Sequence, residues 1–195
     1  MRRLRACLLV AAAVSGCATV KMHRLRADYD AVDKLKTKRL VVVTQPLPDG
    51  QAKAGELFSL VARRYVNQKR NFLVKRQVSQ AEPFQPAALC GDGAEGVLWL
   101  EPEVTRVGEG VEAKVKARLL RCTDGQEVWA ADAGGSFACA DDRLKQVTTD
   151  YAAELGPEVA LYVPVAFNLL RPTLDTLPDP VLTDDDVSEK IELGE

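Results

Sequence analysis

The chain has 195 residues, 47% of them hydrophobic and 28% charged, which suits a single globular domain with its own core. The formal net charge of -2 excludes a bulk positive field of the kind that attracts nucleic acid. The single histidine, His23, excludes a histidine-rich metal site and a catalytic triad built on a histidine of the folded body.

The first segment is typical of an exported protein. Three arginines precede the apolar run 6–14, which is too short to span a bilayer and fits a secretory signal peptide. The next residues, VSGC at 14–17, resemble the lipobox of bacterial lipoproteins. This resemblance implies removal of residues 1–16 and attachment of diacylglycerol and palmitate to Cys17. Because Ala18 follows rather than aspartate, it also implies an outer-membrane protein that faces the periplasm.

Residues 17–38 are predicted to be a lipidated tether between the anchor and the domain. The tether is basic, so it either touches anionic headgroups or is simply solvated. His23 lies within it and is interpreted as a surface residue. A single domain is predicted over residues 39–171, and an acidic tail over residues 172–195.

The domain begins with a pattern of strand, helix and strand. RLVVVTQ at 39–45 is a β-branched run typical of a buried strand, and apolar residues at helical spacing predict an amphipathic helix over 53–68. A second strand follows at 72–77. A crossover this short predicts a right-handed connection and a parallel pair of strands. Residues 79–96 contain prolines and glycines and are predicted to be a linker.

An antiparallel meander and helices are predicted to complete the domain. The central strand alternates apolar residues with Glu, Lys and Arg, the pattern of a strand with one face in water. Predicted strands cover 97–107, 111–122 and 127–137, and predicted helices cover 141–155 and 158–170. The fold class is therefore α+β, with a β-α-β unit followed by an antiparallel meander. One mixed sheet of about five strands carries helices on one face.

The tail is strongly acidic, with eight carboxylates and one lysine between residues 172 and 195, a net charge of -7. Its three prolines predict the end of regular structure at Pro172, so the tail is expected to be disordered or draped over the body. Asp184, Asp185 and Asp186 lack the spacing and glycine of an EF-hand loop. A solvated acidic segment is therefore favoured over a calcium site.

A basic segment covers residues 63–76 and contains no acidic residue. Its cations are Arg63, Arg64, Lys69, Arg70, Lys75 and Arg76. Cations near the end of a helix can simply favour its macrodipole. Alternatively, the segment contacts an anionic partner, which could be lipopolysaccharide, a teichoic-like or peptidoglycan polymer, or the protein's own acidic tail.

Three cysteines follow Cys17, and an oxidising periplasm favours a bridge between two of them. If the turn at 108–110 forms a hairpin, paired residue numbers sum to about 218, which places Cys122 beside residue 96 and within reach of Cys90. A Cys90–Cys122 disulfide is therefore predicted. The alternatives are a Cys122–Cys139 bridge and three free thiols.

No nucleophile elbow, P-loop or HExxH motif occurs, and no cofactor is predicted. Trp99 and Trp129, on predicted neighbouring strands, are either core anchors or a platform for sugar stacking.

Three stretches resemble an uncharacterised family of small lipoproteins from myxobacteria and leptospires: ARRYVNQKRNFLVK, LLRCTDGQEVWAADAGGSF and LLRPTLDTLPDPVLTDDDVSEKIELGE. The element order, with DG-x-x-VW in the hairpin, is also similar to the amino-terminal TolB domain, the curli-pore lipoprotein and lipoprotein activators of penicillin-binding proteins. The function of that family is not known, so the resemblance implies only the lipid anchor. Because no catalytic motif is found, our first hypothesis is a non-enzymatic scaffold or accessory subunit, bound to the membrane by its lipid and to another envelope protein. The alternative is a module that binds an anionic polymer through residues 63–76.

Overall fold

The computed structural model describes residues 18–47, 52–79 and 86–193. The predicted signal peptide and Cys17 lie outside those ranges. The strands are β1 (Thr19–Leu25), β2 (Arg39–Thr44), β3 (Leu73–Ser79), β4 (Gly96–Val107), β5 (Gly110–Arg121) and β6 (Glu127–Ala138). The α-helices are α1 (Asp33–Lys36), α2 (Ala52–Lys69), α3 (Pro86–Leu89), α4 (Lys145–Leu155), α5 (Val163–Leu174) and α6 (Asp184–Glu192). Short 3-10 turns at Asp142–Leu144 and Pro157–Val159 precede α4 and α5.

The strands form one mixed sheet of six strands in the order β1-β6-β5-β4-β2-β3. Strand β2 runs parallel to β3 and β4, and the remaining neighbours are antiparallel. The predicted α+β class and mixed sheet are confirmed. Strands β1 and β5 begin, and β4 and β6 end, at one end of the sheet, here called the Thr19 end. The opposite end, where β2 and β3 begin, is called the Arg39 end.

The sixth strand comes from the segment predicted to be a tether, and this prediction is corrected. Residues Thr19–Leu25 pair with β6, and Tyr29 is 2% exposed and donates its hydroxyl hydrogen to the Pro178 carbonyl at 2.9 Å. An edge strand exposes most of its side chains, so its cationic sequence is compatible with a sheet edge. The charged composition of this segment, which is also typical of a solvated linker, therefore did not reveal that it is a strand.

Two apolar cores flank the sheet. The larger core lies between the sheet and helices α2 and α5 and includes Phe58, Phe72, Trp129 and Leu169. A smaller core on the other face contains Val41, Val43, Val97 and Trp99 with Leu89 of α3. Strand β2 contributes to both cores, which explains why its sequence is an uninterrupted apolar run.

The predicted Cys90–Cys122 disulfide is present, with the two Cα atoms 5.5 Å apart. The hairpin of β4 and β5 pairs Gly96 with Arg121, one residue from the predicted register, and the Cys122 amide donates to the Glu95 carbonyl at 2.9 Å. Cys139 is a free, half-buried cysteine.

The end of regular structure at Pro172 is also corrected. Helix α5 continues through Pro172 to Leu174. The proline removes one backbone hydrogen bond, and the burial of Thr173 and Leu174 after it offsets this cost. The chain then crosses the Arg39 end, where Leu177 is fully buried and the Val181 amide donates to the Lys34 carbonyl at 2.8 Å. Of the two expectations for the tail, the structure has the one in which it is draped over the body.

Candidate functional site

The four cations of the basic segment proposed to contact an anionic partner do not form one surface; they are Arg63, Arg64, Lys69 and Arg70. All four lie on or just after α2, but Arg63 donates to Gln77 Oε1 of β3 at 2.8 Å. The Arg64 guanidinium forms an ion pair with Glu154 at 3.1 Å, and its central carbon lies 5.0 Å from the centre of the Tyr151 ring. Arg64 therefore connects α2 to α4.

Lys69 is exposed, whereas Arg70 contacts the acidic tail. The Arg70 Nε atom lies 3.2 Å from Asp179 Oδ1, and its guanidinium also donates to the Leu177 carbonyl. Further along the basic segment, Lys75 Nζ lies 2.8 Å from Glu189 Oε1. Among the anionic partners predicted for this segment, the structure therefore provides the protein's own tail.

The centre of this contact is Asp186 of α6, whose side chain is 4% exposed. Its carboxylate accepts from Lys38 Nζ at 2.6 Å and from Arg39 Nη2 at 2.6 Å. It also accepts from the backbone amide of Thr183 at 2.9 Å. The Lys38 hydrogen bond, reinforced by the Thr183 amide, holds the pKa of Asp186 well below its ordinary value.

Helix α6 forms in this acidic segment because its first turn is well capped. Thr183 and Asp186 form a capping box, in which each side chain accepts from the other residue's backbone amide. Asp184 and Asp185 add negative charge near the helix amino terminus, where the macrodipole favours it. The three aspartates predicted to be solvated therefore differ: Asp184 and Asp185 are exposed, whereas Asp186 is buried.

The second turn of α6 binds the beginnings of β2 and β3. Glu189 Oε2 accepts from Arg39 Nη2 at 2.6 Å, and hydrogen bonds from Lys75 and Arg39 lower the pKa of Glu189. Lys190 Nζ donates to the Phe72 carbonyl at 2.7 Å, and burial lowers the pKa of Lys190. The ion cluster thus joins α6 to two strands, and we refer to Lys38, Arg39, Lys75, Asp186 and Glu189 as the tail latch.

Sequence reasoning missed the tail latch because it placed Lys38 in the tether and Asp186 in a solvated tail. Two signals were available. Lys38 and Arg39 stand directly before the buried apolar run 40–43, and cations buried with that run require anionic partners. The pattern Thr183-x-x-Asp186 is that of a capping box and predicts a helix start.

The two tryptophans are core residues and form no common platform. Trp99 on β4 is 3% exposed and Trp129 on β6 is 1% exposed, and they belong to the cores on opposite faces of the sheet. Strand β5 separates their strands. The prediction that they lie on neighbouring strands is wrong, and the core interpretation is confirmed.

Within residues 18–47, 52–79 and 86–193, no group of three or more His, Cys, Asp or Glu side chains is arranged to hold a metal ion. No helix of these ranges is long and apolar enough to cross a bilayer.

An open cavity of about 380 Å³ lies at the Thr19 end, where Asp141 and Asn168 contribute to its wall. In that wall, Asp141 caps the following turn by accepting from the Arg143 amide at 3.0 Å.

Seven large apolar side chains of the described residues are exposed. Four belong to α1, α6 and the segment before α6 at the Arg39 end, and are here called the tail face: Leu35 (57% exposed), Val181 (48%), Val187 (44%) and Ile191 (74%). The other three are Met22 and Leu25 on the edge strand β1, and Val107 at the end of β4.

Comparison with known proteins finds no matching family profile and no matching curated protein. Among solved structures, a PelC dodecamer from Paraburkholderia phytofirmans is 16% identical and covers 77% of this chain and 97% of that chain, with a TM-score of 0.40. Lipoprotein GNA1162 from Neisseria meningitidis is 16% identical and covers 60% and 96% respectively, with a TM-score of 0.41. A lipoprotein from Caulobacter crescentus is 16% identical and covers 65% and 87%, with a TM-score of 0.27. Two of these three are described as lipoproteins, and similarity at these scores assigns no function.

Proposed function

We propose that this protein is a lipoprotein of the bacterial cell envelope, anchored through Cys17, that acts non-enzymatically as a scaffold or accessory subunit. The lipobox at 14–17 supports the anchor, and Ala18 supports the outer membrane, with the body facing the periplasm. The Cys90–Cys122 disulfide fits an oxidising compartment. We place the chain with the uncharacterised lipoproteins of myxobacteria and leptospires that its sequence resembles.

The tail face is the observation that carries the proposed contact with another protein. Val187 and Ile191 are one turn apart on α6, so their side chains share a stripe of the helix surface. Val181 lies beside α1, which carries Leu35, because its amide donates to the Lys34 carbonyl. Single exposed apolar residues are common, but several at one end of a small domain favour a protein interface.

The alternative of an anionic-polymer site at residues 63–76 has less support. Arg64 and Arg70 bind carboxylates of the same chain, and Lys75 binds Glu189. A polymer would have to displace these groups. Retention of the protein on lipopolysaccharide or peptidoglycan, lost at high salt and in a Lys69→Ala variant, would favour this alternative.

Affinity capture with the tagged mature protein tests the scaffold proposal. The test variant carries Val187→Ser and Ile191→Ser, and the matched control carries Val107→Ser, because that valine is 51% exposed at the opposite end of the sheet. We expect the test variant to lose a partner that the wild type and the control both capture. Equal capture by both variants would contradict a contact at the tail face.

The lipid anchor is tested separately by mass spectrometry of the mature amino terminus. We expect cleavage after Gly16 and an acylated Cys17, and we expect fractionation to place the protein in the outer membrane. An unmodified Cys17 would remove the basis for the anchor, whereas acylated protein found in the inner membrane alone would overturn only the destination.

A further inference from the structure

We infer that β1 rests edge-on against the surface of the bilayer, so that the open edge of the sheet is its membrane-contact surface. This inference rests on the proposed lipid at Cys17 and extends it to the orientation of the folded body. Three features of the structure support this orientation: the position of Ala18, the shape of the Thr19 end and the side chains of β1.

The folded body begins immediately after the proposed anchor. Ala18 is half-buried and packs against the larger core, and Thr19 already pairs with Gly134 of β6. A single peptide bond joins Ala18 to Cys17, and consecutive Cα atoms are about 3.8 Å apart. The 22-residue tether predicted from the sequence would have let the body move freely, but no such spacer separates β1 from the lipid.

The end of the sheet cannot lie flat on the membrane. Beyond Gly134, which pairs with Thr19, β6 continues for four residues to Ala138, which pairs with Gly110 of β5. At about 3.4 Å per residue, the turn between β4 and β5 extends about 14 Å past the first residue of β1. With the sheet end-on, exposed Glu109 would enter the bilayer, where a charged side chain is costly.

An edge-on arrangement avoids this penalty and places suitable side chains against lipid. Residues 21–25 are all exposed, and β1 contains no carboxylate. Lys21 and Arg24 supply positive charge, although Arg24 also forms an ion pair with Glu127 at 3.0 Å, and Met22 and Leu25 supply apolar surface. The unpaired backbone groups of an edge strand require a polar environment, so β1 lies in the headgroup layer and not in the hydrocarbon.

Fluorescence quenching of the mature, lipidated protein in phospholipid vesicles tests this orientation. A single environment-sensitive dye is attached through Met22→Cys, Leu25→Cys, Val107→Cys or Val187→Cys, each in a Cys139→Ser background. The quencher is a nitroxide on the lipid headgroup, and flotation of the vesicles verifies the anchor in every sample. All four sites are exposed, so labelling them does not disturb the core.

We expect quenching of the dye at residues 22 and 25 to exceed that at residues 107 and 187 by at least three-fold. Strong quenching at 107 with little at 25 would mean an end-on body and would overturn the inference. Floating protein with no quenching at either β1 site would also overturn it, because a protein partner or water would then cover the edge. Protein that fails to float would instead contradict the proposed anchor, so the two failures are distinguishable.

Discussion

The tail latch makes a specific prediction for Asp186→Asn, which removes one charge and little volume. In the folded protein, the Asp186 carboxylate lies 2.6 Å from both Lys38 Nζ and Arg39 Nη2. Removing one partner of a buried ion pair costs about 3–5 kcal/mol, because the other charge remains buried without compensation. The variant therefore tests whether α6 stabilises the fold.

The two cations are affected unequally. Arg39 keeps Glu189 at 2.6 Å and Glu95 at 3.3 Å, whereas the Lys38 side chain is only 10% exposed and loses the carboxylate that it contacts. Detachment of α6 would return Lys38 to water and limit the loss. We therefore expect the lower end of the range, a decrease of about 3 kcal/mol in the free energy of unfolding.

Urea unfolding of the mature protein, followed by circular dichroism, measures this loss, and a decrease of about 6–12 °C in Tm should accompany it. Asp185→Asn is the matched control, because it removes the same charge from the same helical turn at an exposed position. The control should lose less than about 1 kcal/mol. Equal losses in the two variants would refute the reasoning, since burial would then contribute nothing.

Three further predictions concern other parts of the fold. Because the folded-state pKa of Asp186 is depressed, its contribution to the free energy of unfolding should be complete above about pH 4 and should decline as the pH falls further. Urea midpoints measured between pH 2 and 6 should therefore change less with pH in the Asn variant than in the wild type, and identical profiles would contradict this. Replacing Cys90 and Cys122 with alanine opens a loop with a sequence separation of 32, and should lower the free energy of unfolding in urea by about 3–4 kcal/mol. The control Cys139→Ala should lower it by less than about 1 kcal/mol, and similar losses in the two variants would argue against the bridge. Gly55→Ala should lower the free energy of unfolding by about 1–2 kcal/mol despite the helix propensity of alanine, because the added methyl group would lie 3.0 Å from the Cα of Pro46, just after β2. A higher Tm for this variant would contradict the close packing.

Elements with clear periodicity were predictable from the sequence. The alternation in β5 follows directly from one apolar and one solvated face, and the helix predicted over 53–68 corresponds to Ala52–Lys69 in the structure. The Cys90–Cys122 bridge was also accessible, since a hairpin turn determines which residues face each other over a short distance. The first two predictions depend on which side chains of one element are buried, and the third depends on the register of one hairpin, so all three rest on residues that are close in the sequence.

The candidate sites depended on contacts between distant parts of the chain. Lys38 and Asp186 are separated by 148 residues, and no local pattern identifies one as the partner of the other. The basic segment shows the same limitation, because its composition predicted an anionic partner without distinguishing a polymer from the tail that Arg70 and Lys75 bind.

The α+β class, most of the strands and the disulfide could be predicted from the residues alone, because hydrophobic periodicity and turn residues act over a few neighbouring positions. The three-dimensional fold was needed to show that residues 19–25 form the sheet edge and that Asp186 is buried against two cations. An exposed edge strand and a solvated segment have similar compositions, so the hydrogen bonds to β6 alone distinguish them. Likewise, a carboxylate is buried or solvated according to whether the fold brings counter-charges to it, which depends on the path of the whole chain.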